Sequence, residues 1–156
     1  MSNVILLKGD PIYKEYNLAA SQDVTPGMLL EVTSAGTVRS HSVAGGNTTP
    51  LFAREAFGTP LRDIDDDYDQ DGERVYAMVC RPGDEVNALL AIGENVAIGA
   101  LLQSDGAGAL EAYELPEDVE DASGPDVFVR APVARAVEAK NNSAGSAPAR
   151  IKVEVL

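Results

Sequence analysis

The sequence predicts an all-β protein: a compact barrel or sandwich built from two internally repeated β-units, with an N-terminal strand or arm. Three observations lead there. One stretch of chain recurs 72 residues later, the apolar runs are too short for helices, and glycine and proline sit between those runs.

VTPGMLLEVTSAGTV, residues 24–38, returns as VAIGALLQSDGAGAL, residues 96–110. No gap is needed. Leu18-Ala19 matches Leu90-Ala91, Val24 matches Val96 and Gly27 matches Gly99. Leu29-Leu30 matches Leu101-Leu102, and Ala35-Gly36 matches Ala107-Gly108. The match resumes with shifted offsets. Phe52-Ala53-Arg54 resembles Val133-Ala134-Arg135, and Arg74-Val75 with Val79 resembles Arg150-Ile151 with Val155. The shifts fall in the polar stretches GTPLRDIDDDYDQDG and ELPEDVEDASGPD, where insertions are tolerated. Residues 18–80 and 90–156 therefore read as two copies of one unit within a single structural domain. One such unit leaves a sheet face bare, and two can cover each other.

The runs MLLEV, ALLQS, RVYAMVC, DVFVRA and RIKVEVL read as strands. RIKVEVL alternates strictly, with Ile151, Val153 and Val155 on one face and Lys152 and Glu154 on the other. Gly36 and Gly108 supply the positive φ of a hairpin, and Gly27 and Gly99 a tight turn before a strand. Each unit is expected to run as a hairpin, a returning strand near FAREA or VARAVEA, and a last strand. Pro132 interrupts any helical turn in VFVRAPVARAVEAK. Residues 1–17 lie outside the match. VILLKGDPIYKEYN breaks at Asp10-Pro11 and predicts an edge strand or an arm onto a neighbour. The apolar run Val4, Ile5, Leu6 and Leu7 is the candidate contact.

Composition narrows the function. The net charge is −13 with a pI near 4.3, which argues against a nucleic-acid backbone or an anionic membrane and favours a basic or mixed-charge partner. There is no Trp and only 5% aromatic residues, so the core falls to Val, Leu, Ile and Ala. The one cysteine, Cys80, sits in an apolar run and reads as a small buried hydrophobe. MSNVILLKGD has neither the basic start of a signal peptide nor the length of a membrane span, so synthesis in a reducing cytosol is expected.

Chemistry-bearing motifs are few. Asp67, Asp69, Asp71 and Gly72 match the first half of a calcium loop, D-x-D-x-D-G. The closing Glu is replaced by Met78, Arg74 would repel the ion, and the second unit has no counterpart. A solvated acidic loop is the better reading, and the acidic run Glu114 to Asp121 reads the same way. His41 is the only histidine. It supports neither a zinc set nor a Cys–His dyad, no G-x-S-x-G accompanies it, and an exposed place at a strand end is expected. GAGAL at 106–110 carries no Lys and is a hairpin turn rather than a phosphate cradle. A paired-acid glycosidase wants an aromatic cleft, which five Tyr and three Phe hardly supply. Asn141-Asn142-Ser143 is a formal sequon without a secretory context. No catalytic residue, cofactor or metal is predicted.

VNALLAIGENVAIGALLQSDGAGALEAY, residues 86–113, resembles the head decoration, or cement, proteins of tailed bacteriophages. The shared pattern is an apolar strand, a small-residue turn, V-x-x-G-x-L-L, a glycine-containing turn and a further strand. ARAVEA near a polar loop is similar to their short alanine-rich strand. The resemblance covers most of the chain from Leu18 onward. It implies a β-rich, non-enzymatic virion protein on the outer face of the capsid, made in the host cytoplasm. It also implies the major capsid protein as partner and a homo-oligomer, a trimer being favoured. No catalytic residue carries over. The alternative is a non-catalytic β-barrel binding or carrier module, since V-x-x-G-x-L-L before a strand also occurs in duplicated lipoyl-type domains. Those carry a modified Lys at a hairpin tip, where this chain has SAGT and DGAG.

Overall fold

The short alternating runs become strands where a neighbouring strand pairs at least one edge. The computed structural model describes residues 4–57, 62–115, 118–121, 124–127 and 131–156. Among them are fifteen strands and no helix.

The C-terminal half closes into a five-stranded barrel. Its strands are β7 (Glu85–Leu90), β9 (Leu101–Ser104), β10 (Leu110–Ala112), β13 (Ala134–Ala136) and β15 (Ala149–Val155). The order β7-β10-β9-β13-β15 returns to β7, which pairs with β15 along its whole length. β15 keeps the predicted alternation: Ile151, Val153 and Val155 are buried, Lys152 is exposed and Glu154 half-buried. A sixth strand, β1 (Leu6–Lys8), lies antiparallel on β7 beside its first residues.

The N-terminal half follows a similar circuit with weaker joints. β2 (Ile12–Asn17), β6 (Arg74–Val79) and β5 (Leu51–Ala53) form one sheet, and β3 (Leu30–Val32) and β4 (Val38–Ser40) form a hairpin. Two single bridges join them: Leu29 to Phe52 antiparallel and Leu18 to Val38 parallel. Leu18, Val24, Leu30, Val38, Leu51, Ala53, Val75 and Ala77 turn inward as one cluster with Tyr68. The inside of the C-terminal barrel belongs to a larger cluster that also takes in Leu29, Phe52, Met78 and Cys80 from the N-terminal ring.

Residues 1–17 are thus divided. β1 is an edge strand on the C-terminal barrel, whereas β2 is a member of the N-terminal ring. The break between them comes at Gly9-Asp10-Pro11, where the sequence places it. The predicted hairpins are in place, with Gly36 at φ 78° and Gly108 at φ 90°. Small pairs complete the strand set: β8 (Asn95–Val96) with β14 (Lys140–Asn141), and β11 (Asp118–Asp121) with β12 (Gly124–Val127). The β11–β12 pair corrects the reading of Glu114 to Asp121 as loop throughout. Backbone pairing there places Glu120 opposite Pro125. Of the two shifted polar stretches, residues 58–61, 116–117 and 122–123 lie outside the described residues, as do 128–130 of the run DVFVRA.

The rings meet along a seam of close backbone approach. Leu29 N–H donates to the Gly108 carbonyl at 2.8 Å, and Gly45 N–H to the Ser104 carbonyl at 2.8 Å. A Cβ on Gly27 would stand 2.7 Å from the Asn87 carbonyl oxygen, and one on Gly108 would stand 3.0 Å from Ser40 Cβ. The Arg150 guanidinium crosses the seam to the carbonyls of Pro26 and Ile64 and to the Asp65 carboxylate.

Candidate functional site

The predicted contact run lies within the fold. Val4 is 43% exposed, Ile5 is fully buried in the larger core cluster, and Leu6 and Leu7 are half-buried. Ile5 is pinned on both sides: its N–H donates to Glu55 Oε2 at 3.2 Å and its carbonyl accepts from Asn87 N–H at 2.7 Å. Of the four residues, Val4 presents the most surface outward.

Two carboxylates of the acidic loop, Asp67 and Asp71, are engaged separately. Asp67 Oδ1 accepts from the Thr25 hydroxyl at 2.6 Å, and Asp71 Oδ1 accepts from Ser21 N–H at 2.8 Å. Between them Tyr68 turns inward, with its hydroxyl donating to the Arg54 carbonyl at 2.8 Å. Burial pushes that phenol well above its ordinary range. Arg62 closes on Glu73 and Glu73 holds Asp69 N–H, so the loop is knitted by its own chain. Among the described residues no three His, Cys, Asp or Glu side chains converge as metal ligands.

His41 is buried rather than exposed, which corrects the sequence reading. It does follow a strand end, but the β9–β10 hairpin covers it. Its Nδ1 lies 2.7 Å from Ser104 Oγ, and its Nε2 lies 3.9 Å from Glu31 Oε2. Ser, His and Glu in a row resemble a nucleophile relay. Yet Ser104 has no exposed surface and its Oγ also accepts from Gly106 N–H at 3.1 Å, so no substrate can reach it. The His41–Ser104 bond is a pin between the rings. Burial of Glu31 opposes its ionisation, but hydrogen bonds from Ser42 and Arg39 outweigh that and hold its carboxyl below the usual range. Cys80 is buried as expected, and burial with nearby Asp84 pushes its thiol up to about 12.

The feature that sequence reasoning missed is an aromatic shelf. Tyr13 of β2 and Phe57 beyond β5 are each 53% exposed. The Arg54 guanidinium lies between them, 4.5 Å from the Tyr13 ring centre and 4.1 Å from that of Phe57. Tyr76 of β6 meets Phe57 edge-on at 5.9 Å. Together with Lys14, Glu15 and Ala77 these residues line an open cleft of about 490 Å³. Arg54 Nε is buried and has no hydrogen-bond partner among the described residues. Three of the eight aromatic residues thus gather on one face of the N-terminal ring. Rings and an arginine in shallow relief suit a protein surface better than a small substrate. No family model matches the sequence, and no curated protein matches it significantly.

Proposed function

We propose that the chain is a viral structural protein that decorates the outer surface of a bacteriophage capsid and cements neighbouring major capsid subunits. The likeness of Val86 to Tyr113 to head decoration proteins carries this reading. Two features support it. The net charge of −13 suits an outer face, away from packaged nucleic acid. The shelf of Tyr13, Arg54 and Phe57 has the residue types that anchor protein contacts. In this reading the protein acts as a homo-oligomer, with a trimer favoured, and needs no cofactor.

The test is co-sedimentation with undecorated expanded capsids. Saturable binding that raises the capsid melting temperature is expected, and Tyr13→Ala with Phe57→Ala should weaken it. A folded protein that leaves every such capsid unbound would remove the proposal.

A further inference from the structure

The backbone bonds of the two rings recur pair by pair. Ala19 N–H donates to Val38 O and Ala91 N–H to Leu110 O; Gly27 N–H donates to Ala53 O and Gly99 N–H to Ala136 O. His41 N–H donates to Leu29 O and Tyr113 N–H to Leu101 O; Thr33 N–H donates to Thr37 O and Asp105 N–H to Ala109 O. The bridges follow suit: Leu18–Val38 answers Leu90–Leu110, and Leu29–Phe52 answers Leu101–Arg135. Residues of the N-terminal ring thereby acquire counterparts in the C-terminal one.

Those counterparts show that the seam is lopsided. The N-terminal ring contributes the turn at Pro26 to Leu29 and the segment after β4. The C-terminal ring contributes the β9–β10 hairpin and Arg150. A two-fold contact would use the same patch twice, and this one uses two different patches. Among the described residues each ring therefore keeps one patch unused. On the C-terminal ring it holds Ile98, Leu101 and Tyr113, the counterparts of Pro26, Leu29 and His41. On the N-terminal ring it holds Val32, Gly36 and Arg74, the counterparts of Ser104, Gly108 and Arg150.

The unused patches have the surface of unmet partners. Ile98 is 71% exposed, Leu101 is 41% exposed and Val32 is 48% exposed, whereas Leu29 in the seam is fully buried. Arg74 lies beside a notch of about 250 Å³ with Glu15, Tyr16, Asn17 and Gly36, where Arg150 in the seam reaches across to carbonyls. Among the described residues a Cβ at Gly36 or Gly99 would meet nothing within 4 Å, so no described residue fills either place. Where the seam pairs His41 with Ser104, the free patches offer Tyr113 to Val32, an apolar match.

We infer that the two rings are one duplicated unit, and that a second copy of this chain docks head to tail, its Val32–Gly36–Arg74 patch on the Ile98–Leu101–Tyr113 patch of the first. The contact continues the intrachain seam from one molecule to the next. Repeated, it closes a ring of chains or extends as a row. It stands independently of the capsid reading and is tested without capsids.

The solution mass of the full chain, at 16.4 kDa per copy, is measured by light scattering for the wild type, Leu101→Asp and Arg74→Glu. Circular dichroism confirms that each variant is folded. The wild type should form multimers and each variant alone should be monomeric. Mixed in equal amounts, the two variants should form a species of two chains and no larger, because each keeps the patch that the other lacks. A wild type that stays monomeric up to its solubility limit overturns the inference. So does a variant that retains the wild-type mass, or a mixture that stays monomeric.

Discussion

His41 Nδ1 and Ser104 Oγ meet at 2.7 Å across the seam between the rings, both side chains buried. A directional bond at that place sets the angle at which one ring lies on the other, because apolar packing alone has little preference for rotation. Ser104→Ala should therefore destabilise the protein by about 1–3 kcal/mol, the cost of leaving a buried partner unpaired. Urea denaturation with an unchanged slope would show it.

Arg150 should matter far more than Arg74. Arg150 serves two carbonyls and a carboxylate from a largely buried position, whereas Arg74 pairs with exposed Glu15 at 3.1 Å. Arg150→Ala is expected to cost about 2–4 kcal/mol, and Arg150→Lys should recover little, since a single ammonium cannot span the fork. Arg74→Ala in the monomer should change stability by no more than about 0.5 kcal/mol. Thermal melts of the three variants check the order.

Two carboxylates should give opposite pH dependence. Burial raises the Glu111 carboxyl, opposed in part by the Gln103 hydrogen bond and reinforced by Asp105, Glu94 and Glu114. The folded state then holds the proton more tightly than the unfolded one, so this group's contribution is lost as pH rises through its folded pKa. Glu31 is held low, so its contribution is present above the ordinary carboxylate range and is lost as pH falls. Relative to wild type, Glu111→Gln should gain stability on going from pH 4 to pH 7, and Glu31→Gln should lose it. Denaturation at the two pH values reads both signs.

Calcium should leave the melting temperature unchanged. Asp67 and Asp71 are committed to Thr25 and Ser21, and Tyr68 turns inward between them. Calorimetric titration of calcium into the metal-free protein checks this, and a saturable heat abolished by Asp69→Asn would contradict it.

Cys80 should resist alkylation in the native state at mild alkaline pH and react once the chain is unfolded. A thiol pushed up to about 12 holds almost no thiolate there. Timed iodoacetamide labelling with mass readout measures the contrast.

The strands were legible where alternation is local. RIKVEVL displays its inner and outer faces within seven letters, and the glycine hairpins announce their own φ. What was not legible depends on partners far along the chain. His41 looks like a polar strand end until the β9–β10 hairpin closes over it. Tyr13, Arg54 and Phe57 form a shelf only because β2 and β5 flank β6. Letter matching also slips in the short alanine-rich strands. It aligns Ala53 with Ala134, but the sheet register sets Leu51 opposite Val79 and Ala134 opposite Val155. Alanines resemble one another too closely to fix register, and the larger partners across the ladder decide it.

The division of residues 1–17 between the rings has a consequence on the ribosome. β1 leaves the exit tunnel before the other strands, yet Lys8 finds Glu85 only 77 positions later. The nascent chain must carry Ile5 and its apolar neighbours uncovered while the whole N-terminal ring emerges. That ring can close as soon as β6 is out, because β2 pairs within it. The strands of the first half can thus pair before its leading strand is docked, because β1 waits for β7 of the second half.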